Sequence, residues 1–321
     1  MAAKEEEIPE DGLNYKNTTT NVHPLIVQLY RCELDEDNNK EENKNKNKEK
    51  EKSPPDPIFR ADEHDKQFDP DKYLEGFYKS PREDVAMQIV LFFLPGMVCR
   101  LPKTIGTMLD LGAGPTIYIP LVLRNHIESI FSSDYSPQNR QRVIDWIFAK
   151  NSFDWSEICC WIAGIEARHE KPLQMQDFTR EKMRAVLEVN VQKRPVIQSI
   201  EWKAENLKEI PKQFDLVTTV FCMEYSCETL EGYKRAINGA CGLIKPGGWL
   251  LQGGIFHATE YRFGGKRFSS HFLTKEHVLT ALEENGMETI KGEDYDQFHF
   301  ITHDDIFLLL SKKKMEIGRE E

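Results

Sequence analysis

From Phe68 onward, apolar residues recur at helical spacing (Tyr73, Phe77, Val85, Ile89, then Phe92 and Phe93), which predicts the first helices of a folded domain. A strand-like run, Thr107-Met-Leu-Asp-Leu111, then meets a glycine-rich turn and a second apolar helical stretch from Ile117 to Leu123. A further strand, Ser129 to Ser133, ends at Asp134 and completes a strand-turn-helix-strand unit. The alternation continues with a helix over Arg140 to Lys150, a strand over Phe214 to Phe221 and a helix over Tyr233 to Ile244. A turn at Lys245-Pro-Gly-Gly248 leads into a strand from Trp249 to Phe256. The helix His277 to Asn285 is closed by Gly286, where left-handed backbone is wanted, and Asp305 to Ser311 is the last strand. Strands alternating with helices predict an α/β fold, a mostly parallel sheet covered on both faces.

Upstream the texture differs. Glu33 to Asp56 is almost entirely Asp, Glu, Asn and Lys and ends in a proline pair, so it buries too little apolar surface to offset its ordering entropy. Residues 1–66 are therefore expected to form a largely disordered arm, 67–314 the folded domain and 315–321 a tail. The formal net charge of −11 makes nucleic acid and anionic membranes poor partners. The acidic N-terminus lacks a signal-peptide pattern, and the most apolar segment, Val85 to Val98, is interrupted by Pro95-Gly96 and too short to span a bilayer. Seven scattered cysteines without a C-x-x-C pair read as reduced thiols in a cytoplasmic protein with no metal site.

The chemistry centres on Asp110-Leu-Gly-Ala-Gly-Pro-Thr116. Gly112 and Gly114 sit where a strand turns into a helix, so a ligand can approach bare backbone N–H groups. Asp134, ending the next strand, is suited to holding a ribose diol. The third glycine of a dinucleotide fingerprint is replaced by Ile117, which favours S-adenosylmethionine, a cofactor with no pyrophosphate to pack, over NAD.

These segments also carry a family resemblance. Asp110 to Tyr118, Asp134-Tyr-Ser-Pro-Gln-Asn139, Phe68 to Tyr78, Phe153-Asp-Trp-Ser156 and Leu243 to Gly248 together resemble the small-amine N-methyltransferases that act on nicotinamide, phenylethanolamine and indolethylamine. The likeness runs from about Phe68 to Lys313. It implies a Rossmann-like class I methyltransferase with a seven-stranded sheet and an N-terminal helical lid, monomeric, taking S-adenosylmethionine and a small amine or N-heterocycle. By position, it implies that Tyr73 and Tyr78 close over the cofactor, that Gly112, Gly114 and Tyr118 meet its methionine end, and that Asp134 takes the ribose. Tyr135, Asn139 and Val220 would stand nearby. The adenine contact is expected beside Ala204, where Lys203 stands in place of the usual acid.

On the substrate side, Phe221-Cys-Met-Glu224 resembles the Phe-Cys-Leu-Glu segment of the phenylethanolamine enzyme, which implies that Glu224 orients the amine or relays its proton. Phe77, Phe221, Tyr261 and Ser270 match substrate-pocket positions, and His257 falls where that enzyme has a second substrate glutamate. Gly254 takes the place of the Asp that grips the carboxamide in the nicotinamide enzyme, which argues against nicotinamide. The alternative is a protein of the same fold that binds the cofactor for regulation and has lost catalysis.

Overall fold

The structure, a computed structural model, describes residues 56–150, 153–289 and 299–315. The acidic run, the apolar island before it and nearly all of the tail lie outside the described residues. Strands are β1 (Ile58–Phe59), β2 (Ile105–Leu111), β3 (Ile127–Asp134), β4 (Met183–Val189), β5 (Ile197–Lys203), β6 (Phe214–Val220), β7 (Ile244–Ile255), β8 (Glu260–Phe263), β9 (Lys266–Ser269), β10 (Met287–Thr289), β11 (Phe300–His303) and β12 (Ile306–Lys313). Helices are α1 (His64–Gln67), α2 (Pro70–Phe77), α3 (Val85–Val98), α4 (Tyr118–Leu123), α5 (Pro137–Ile147), α6 (Ser156–Ile165), α7 (Pro172–Arg180), α8 (Leu230–Gly242) and α9 (Lys275–Glu284).

Among the described residues the main sheet has nine strands rather than the seven expected, in the order β10-β12-β7-β6-β2-β3-β4-β5 with β11 also on β12. Its centre, β7-β6-β2-β3-β4, is parallel, while β12 and β5 add antiparallel edges. The period-2 alternation of the strands divides the core. Met108 and Leu308 pack on one face with Leu91, Leu94 and Trp155, and Leu109 and Leu309 on the other with Phe214 and Ile237.

Local chemistry explains the helix starts. The Asp69 carboxylate accepts from the N–H groups of Asp71 and Lys72, and Pro70 takes the first helical position. Asp84 caps α3 by accepting from Met87 N–H at 2.8 Å. That helix runs through Pro95 to Val98, because burial on nearly every side outweighs the lost hydrogen bond. The Lys245–Gly248 turn is the bulged start of β7, already paired through Ile244 to Phe214. Gly286 does follow its helix with φ +71°. No helix among the described residues is long and apolar enough to cross a membrane.

A second sheet, β1-β9-β8, draws residues 58–59 into the fold, within the segment expected to be arm. Phe59, Phe68, Tyr73 and Phe77 pack there on Tyr261, Phe263 and Phe268, which ties the N-terminal helices to the β8–β9 hairpin.

Candidate active site

The parallel strands β2, β3, β4 and β6 end at one edge, and the residues that follow them line a cavity of about 440 Å³. That is where an open α/β sheet binds ligands. Gly112, Ala113 and Gly114 follow β2, Asp134, Tyr135, Ser136 and Asn139 come from the end of β3 and beyond it, Val189 to Gln192 from β4, and Val220 to Cys222 from β6. Arg60, Ala61, Asp62, His64, Phe68, Tyr73 and Tyr78 complete the lining.

The glycine loop is fixed by its backbone. Gly112 has φ +76°, and a Cβ there would stand 2.1 Å from Cys222 Sγ, so no other residue fits. Gly114 has φ +60°, and its N–H donates to Asp134 Oδ2 at 2.8 Å. Ser136 N–H and the Asn139 amide donate to Asp134 Oδ1 at 2.8 and 3.0 Å. Burial pushes the Asp134 carboxyl up, and these three donors oppose the shift. Asn139 Oδ1 is left buried on the cavity wall without a partner among the described residues. Asp110 lies behind the loop. Its Oδ1 accepts from Thr218 Oγ1 at 2.8 Å and its Oδ2 has no partner among the described residues; burial lifts its pKa to about 7.

An aromatic wall bounds the other end. Tyr73 and Tyr78 are hydrogen-bonded, as are Tyr78 and Tyr118, and burial raises all three phenols so that they keep their protons. Tyr73, Phe221, Tyr225 and Tyr261 face both this cavity and a smaller one of about 20 Å³ that reaches Phe77. The Tyr225 and Tyr261 rings lie 4.2 Å apart. Phe221 holds φ +53°, a strained position that fits a functional loop.

The structure therefore brings together Tyr73, Tyr78, Gly112, Gly114, Tyr118, Asp134, Tyr135, Asn139, Val220, Phe221 and Tyr261 on one cavity, with Phe77 on its smaller neighbour. Four expected residues stand elsewhere. Ala204 N–H bonds Arg184 O near the start of β4, whereas the cavity meets that strand's other end, roughly 20 Å away at the rise of an extended chain. His257 is exposed, has φ +59°, and pairs through Nδ1 with Asp305 at 3.0 Å. Ser270 is buried off both cavity walls, and its hydroxyl has no partner among the described residues.

Glu224 is also off both walls. Its Oε1 accepts from Ile255 N–H at 3.1 Å, and burial raises its pKa to about 7. A Cβ at Gly254 would meet that same oxygen at 2.7 Å, so the Glu224 carboxyl group fills the space that a side chain at 254 would take.

Sequence reasoning missed Asn190, Val191 and Gln192, because β4 was not recognised. Its signal was available in Met-Arg-Ala-Val-Leu-Glu-Val189, an apolar run ending in a polar turn, the same pattern that located Asp134. His64 was missed because it fell within the expected arm. Its Nε2 lies 2.8 Å from the Tyr261 hydroxyl and its Nδ1 3.1 Å from Ala61 O.

The sequence profile described as the NNMT/PNMT/TEMT family matches residues 56–314. A nicotinamide N-methyltransferase of Caenorhabditis elegans is 54% identical over 260 residues, 81% of this chain and 94% of that one. The indolethylamine N-methyltransferase of Mus musculus is 28% identical, covering 79% of this chain and 96% of its own. Among solved structures, an S-adenosylmethionine-dependent methyltransferase from Clostridium acetobutylicum has a TM-score of 0.47 at 12% identity, covering 76% and 98% of the two chains.

Proposed function

The chain belongs to the NNMT/PNMT/TEMT family of methyltransferases, and from that premise we propose that it methylates the nitrogen of a small aromatic amine or N-heterocycle, pyridines of the nicotinamide type included. It is an enzyme that uses S-adenosylmethionine. The observation that carries the acceptor class is the shared aromatic wall: Tyr73, Phe221, Tyr225 and Tyr261 stand between the larger cavity and the smaller one.

The larger cavity fits the cofactor. Gly112 and Gly114 leave bare backbone for its methionine end, beside Tyr78 and Tyr118. Asp134 and Asn139 Oδ1, which has no partner among the described residues, suit a ribose diol, both as acceptors of its hydroxyl hydrogens. Asn190 and Val191 replace Ala204 as the residues suited to adenine, since they end the next strand at the same edge. When bound, S-adenosylmethionine supplies a methyl group on a positively charged sulfur.

The acceptor must approach in line with its lone pair free, and the aromatic wall provides that alignment by confining a flat ring. Positive charge passes to the acceptor nitrogen as it is methylated. The π faces of Tyr73, Phe221 and Tyr225 stabilise a cation at close range, and their bulk keeps water out. Glu224 lies behind this wall as a buried acid. Its ionised form acts through the wall on the same developing charge, which makes it a positioning residue rather than a direct proton acceptor. Because its carboxyl group fills the space beside Gly254, an acid is retained there, and Gly254 no longer argues against nicotinamide.

The test is tritiated-methyl transfer from S-adenosylmethionine to pyridines, aromatic amines, ethanolamines and thioethers. Turnover is expected on pyridines or aromatic amines; product from thioethers alone would overturn the acceptor class. Asp134→Ala is expected to weaken cofactor binding in calorimetry at least about tenfold, the scale of a lost charge-assisted hydrogen bond.

A further inference from the structure

We infer that His64 sets the hydrogen-bond polarity of Tyr261, so that the acceptor pocket presents the Tyr261 oxygen as a lone-pair acceptor and selects methyl acceptors that donate an N–H to it. The selection rests on the proposed reading of the aromatic end as the acceptor site; the polarity itself does not.

The argument is a chain of forced assignments. The Ala61 carbonyl oxygen can only accept, so the His64 Nδ1 that lies 3.1 Å from it carries the proton. Loss of hydration lowers the His64 pKa, outweighing the carbonyl and the more distant charges of Asp134 and Glu228, and the ring stays neutral. Nε2 is then bare. The Tyr261 hydroxyl, 2.8 Å from it, must donate its hydrogen to Nε2. A phenol has one hydrogen, so what remains on Tyr261 is lone pair alone.

The geometry is held from several sides. The His64 ring stacks on Tyr261 and packs against Phe268 with centroids 5.1 Å apart. Ala61 N–H donates to Glu228 Oε1 at 2.8 Å, and that same oxygen accepts from Ser269 Oγ at 2.8 Å, which anchors the carbonyl that orients the imidazole. Tyr261 is buried against Tyr225 and Phe268, so its hydroxyl cannot turn elsewhere without losing its partner. A bound group offering only lone pairs would face a lone pair.

Two measurements on the full chain decide this. The first is imidazole ¹⁵N NMR at neutral pH with no ligand, His64 being identified by its loss in His64→Phe. The expected spectrum is the neutral tautomer protonated at Nδ1, with an Nε2 resonance that shifts in Tyr261→Phe. A ring protonated at Nε2, or an insensitive Nε2, overturns the polarity. The second compares kcat/KM for nicotinamide and 3-acetylpyridine, which share the ring nitrogen and differ in NH₂ against CH₃. The wild type is expected to prefer nicotinamide at least about tenfold, the scale of one buried hydrogen bond. His64→Phe should erase that preference mainly through KM, because Tyr261 can then donate to the acetyl oxygen. An equal loss on both acceptors, with the preference kept, means that His64 only supports the fold and overturns the selection. If neither pyridine is methylated, the selection fails; the acceptor class proposed above fails with it only if aromatic amines are not methylated either, and the NMR result still stands or falls by itself.

Discussion

Asp110 and Glu224 are each enclosed by protein, and each has its pKa lifted to about 7 by burial. For Asp110, a cofactor carrying positive charge at the glycine loop favours the ionised form across a low-dielectric medium and lowers that pKa. Binding S-adenosylmethionine near pH 7 should therefore release a fraction of a proton, and affinity should rise with pH through that range. Calorimetry in buffers of different ionisation heat measures the release; Asp110→Asn should abolish it, and heats independent of buffer would refute it. For Glu224 the linkage runs against stability. An acid whose folded pKa lies above its ordinary 4.5 holds more protons folded than unfolded between pH 4.5 and 7, so stability falls as pH rises through that window. Glu224→Gln should therefore stabilise the protein at pH 8, by up to about 3 kcal/mol, and leave it nearly unchanged at pH 4.5. Denaturant midpoints at the two pH values check this. Turnover should fall more than cofactor affinity in the same variant, because its position bears on the acceptor end.

The segment from β1 through α2 is the element whose role differs most from its appearance in sequence. Ile58 and Phe59 pair with Arg267 and Phe268, and Arg60, Ala61, Asp62 and His64 line the cavity, although the composition just upstream predicts only a solvated arm. Removal of residues 1–55 should leave cofactor affinity unchanged. Removal of residues 1–67 should weaken it at least about tenfold, since a wall of the cavity and the His64–Tyr261 bond go together. Equal affinities for the two truncated proteins would show that this segment does not contribute to the site. The same contrast explains what was legible beforehand. Gly112, Gly114 and Asp134 are set by local backbone demands, a positive φ or a strand end, and such demands show in a few neighbouring residues. Asn190, Glu224 and His257 take their places from the register between strands far apart in sequence. β4 was needed to locate Asn190, and the pairing of β7 with β12 brings Asp305 beside His257 and carries it away from the cavity. The central strands β2, β3, β6 and β7 were legible because apolar runs mark them, whereas charged Arg184 and Glu188 interrupt the run of β4; the antiparallel edges β5, β10 and β11 are short or half-exposed and leave little pattern.

At the scale of the whole molecule, the formal charge of −11 acts on the two forms of the cofactor differently. S-adenosylmethionine carries a net positive charge, from its sulfonium and ammonium against one carboxylate, whereas S-adenosylhomocysteine, having lost the sulfonium, is neutral overall. A negative protein draws the first toward itself and leaves the second to diffuse unaided. The cavity lining has the same sign, since Asp62, Asp134 and Glu228 outnumber Arg60 and Arg235 among its charged residues. Salt shortens the reach of this field from about 30 Å at 0.01 M to about 8 Å at 0.15 M. The association rate of S-adenosylmethionine should therefore fall several-fold between those ionic strengths, while that of S-adenosylhomocysteine stays level. Stopped-flow tryptophan fluorescence with each ligand measures both rates. Parallel slopes would mean that the charge of this protein serves solubility and not the capture of its cofactor. A difference between them would mean that the acidic surface favours entry of the methyl donor over return of the spent product, a bias that operates before any contact in the site is made.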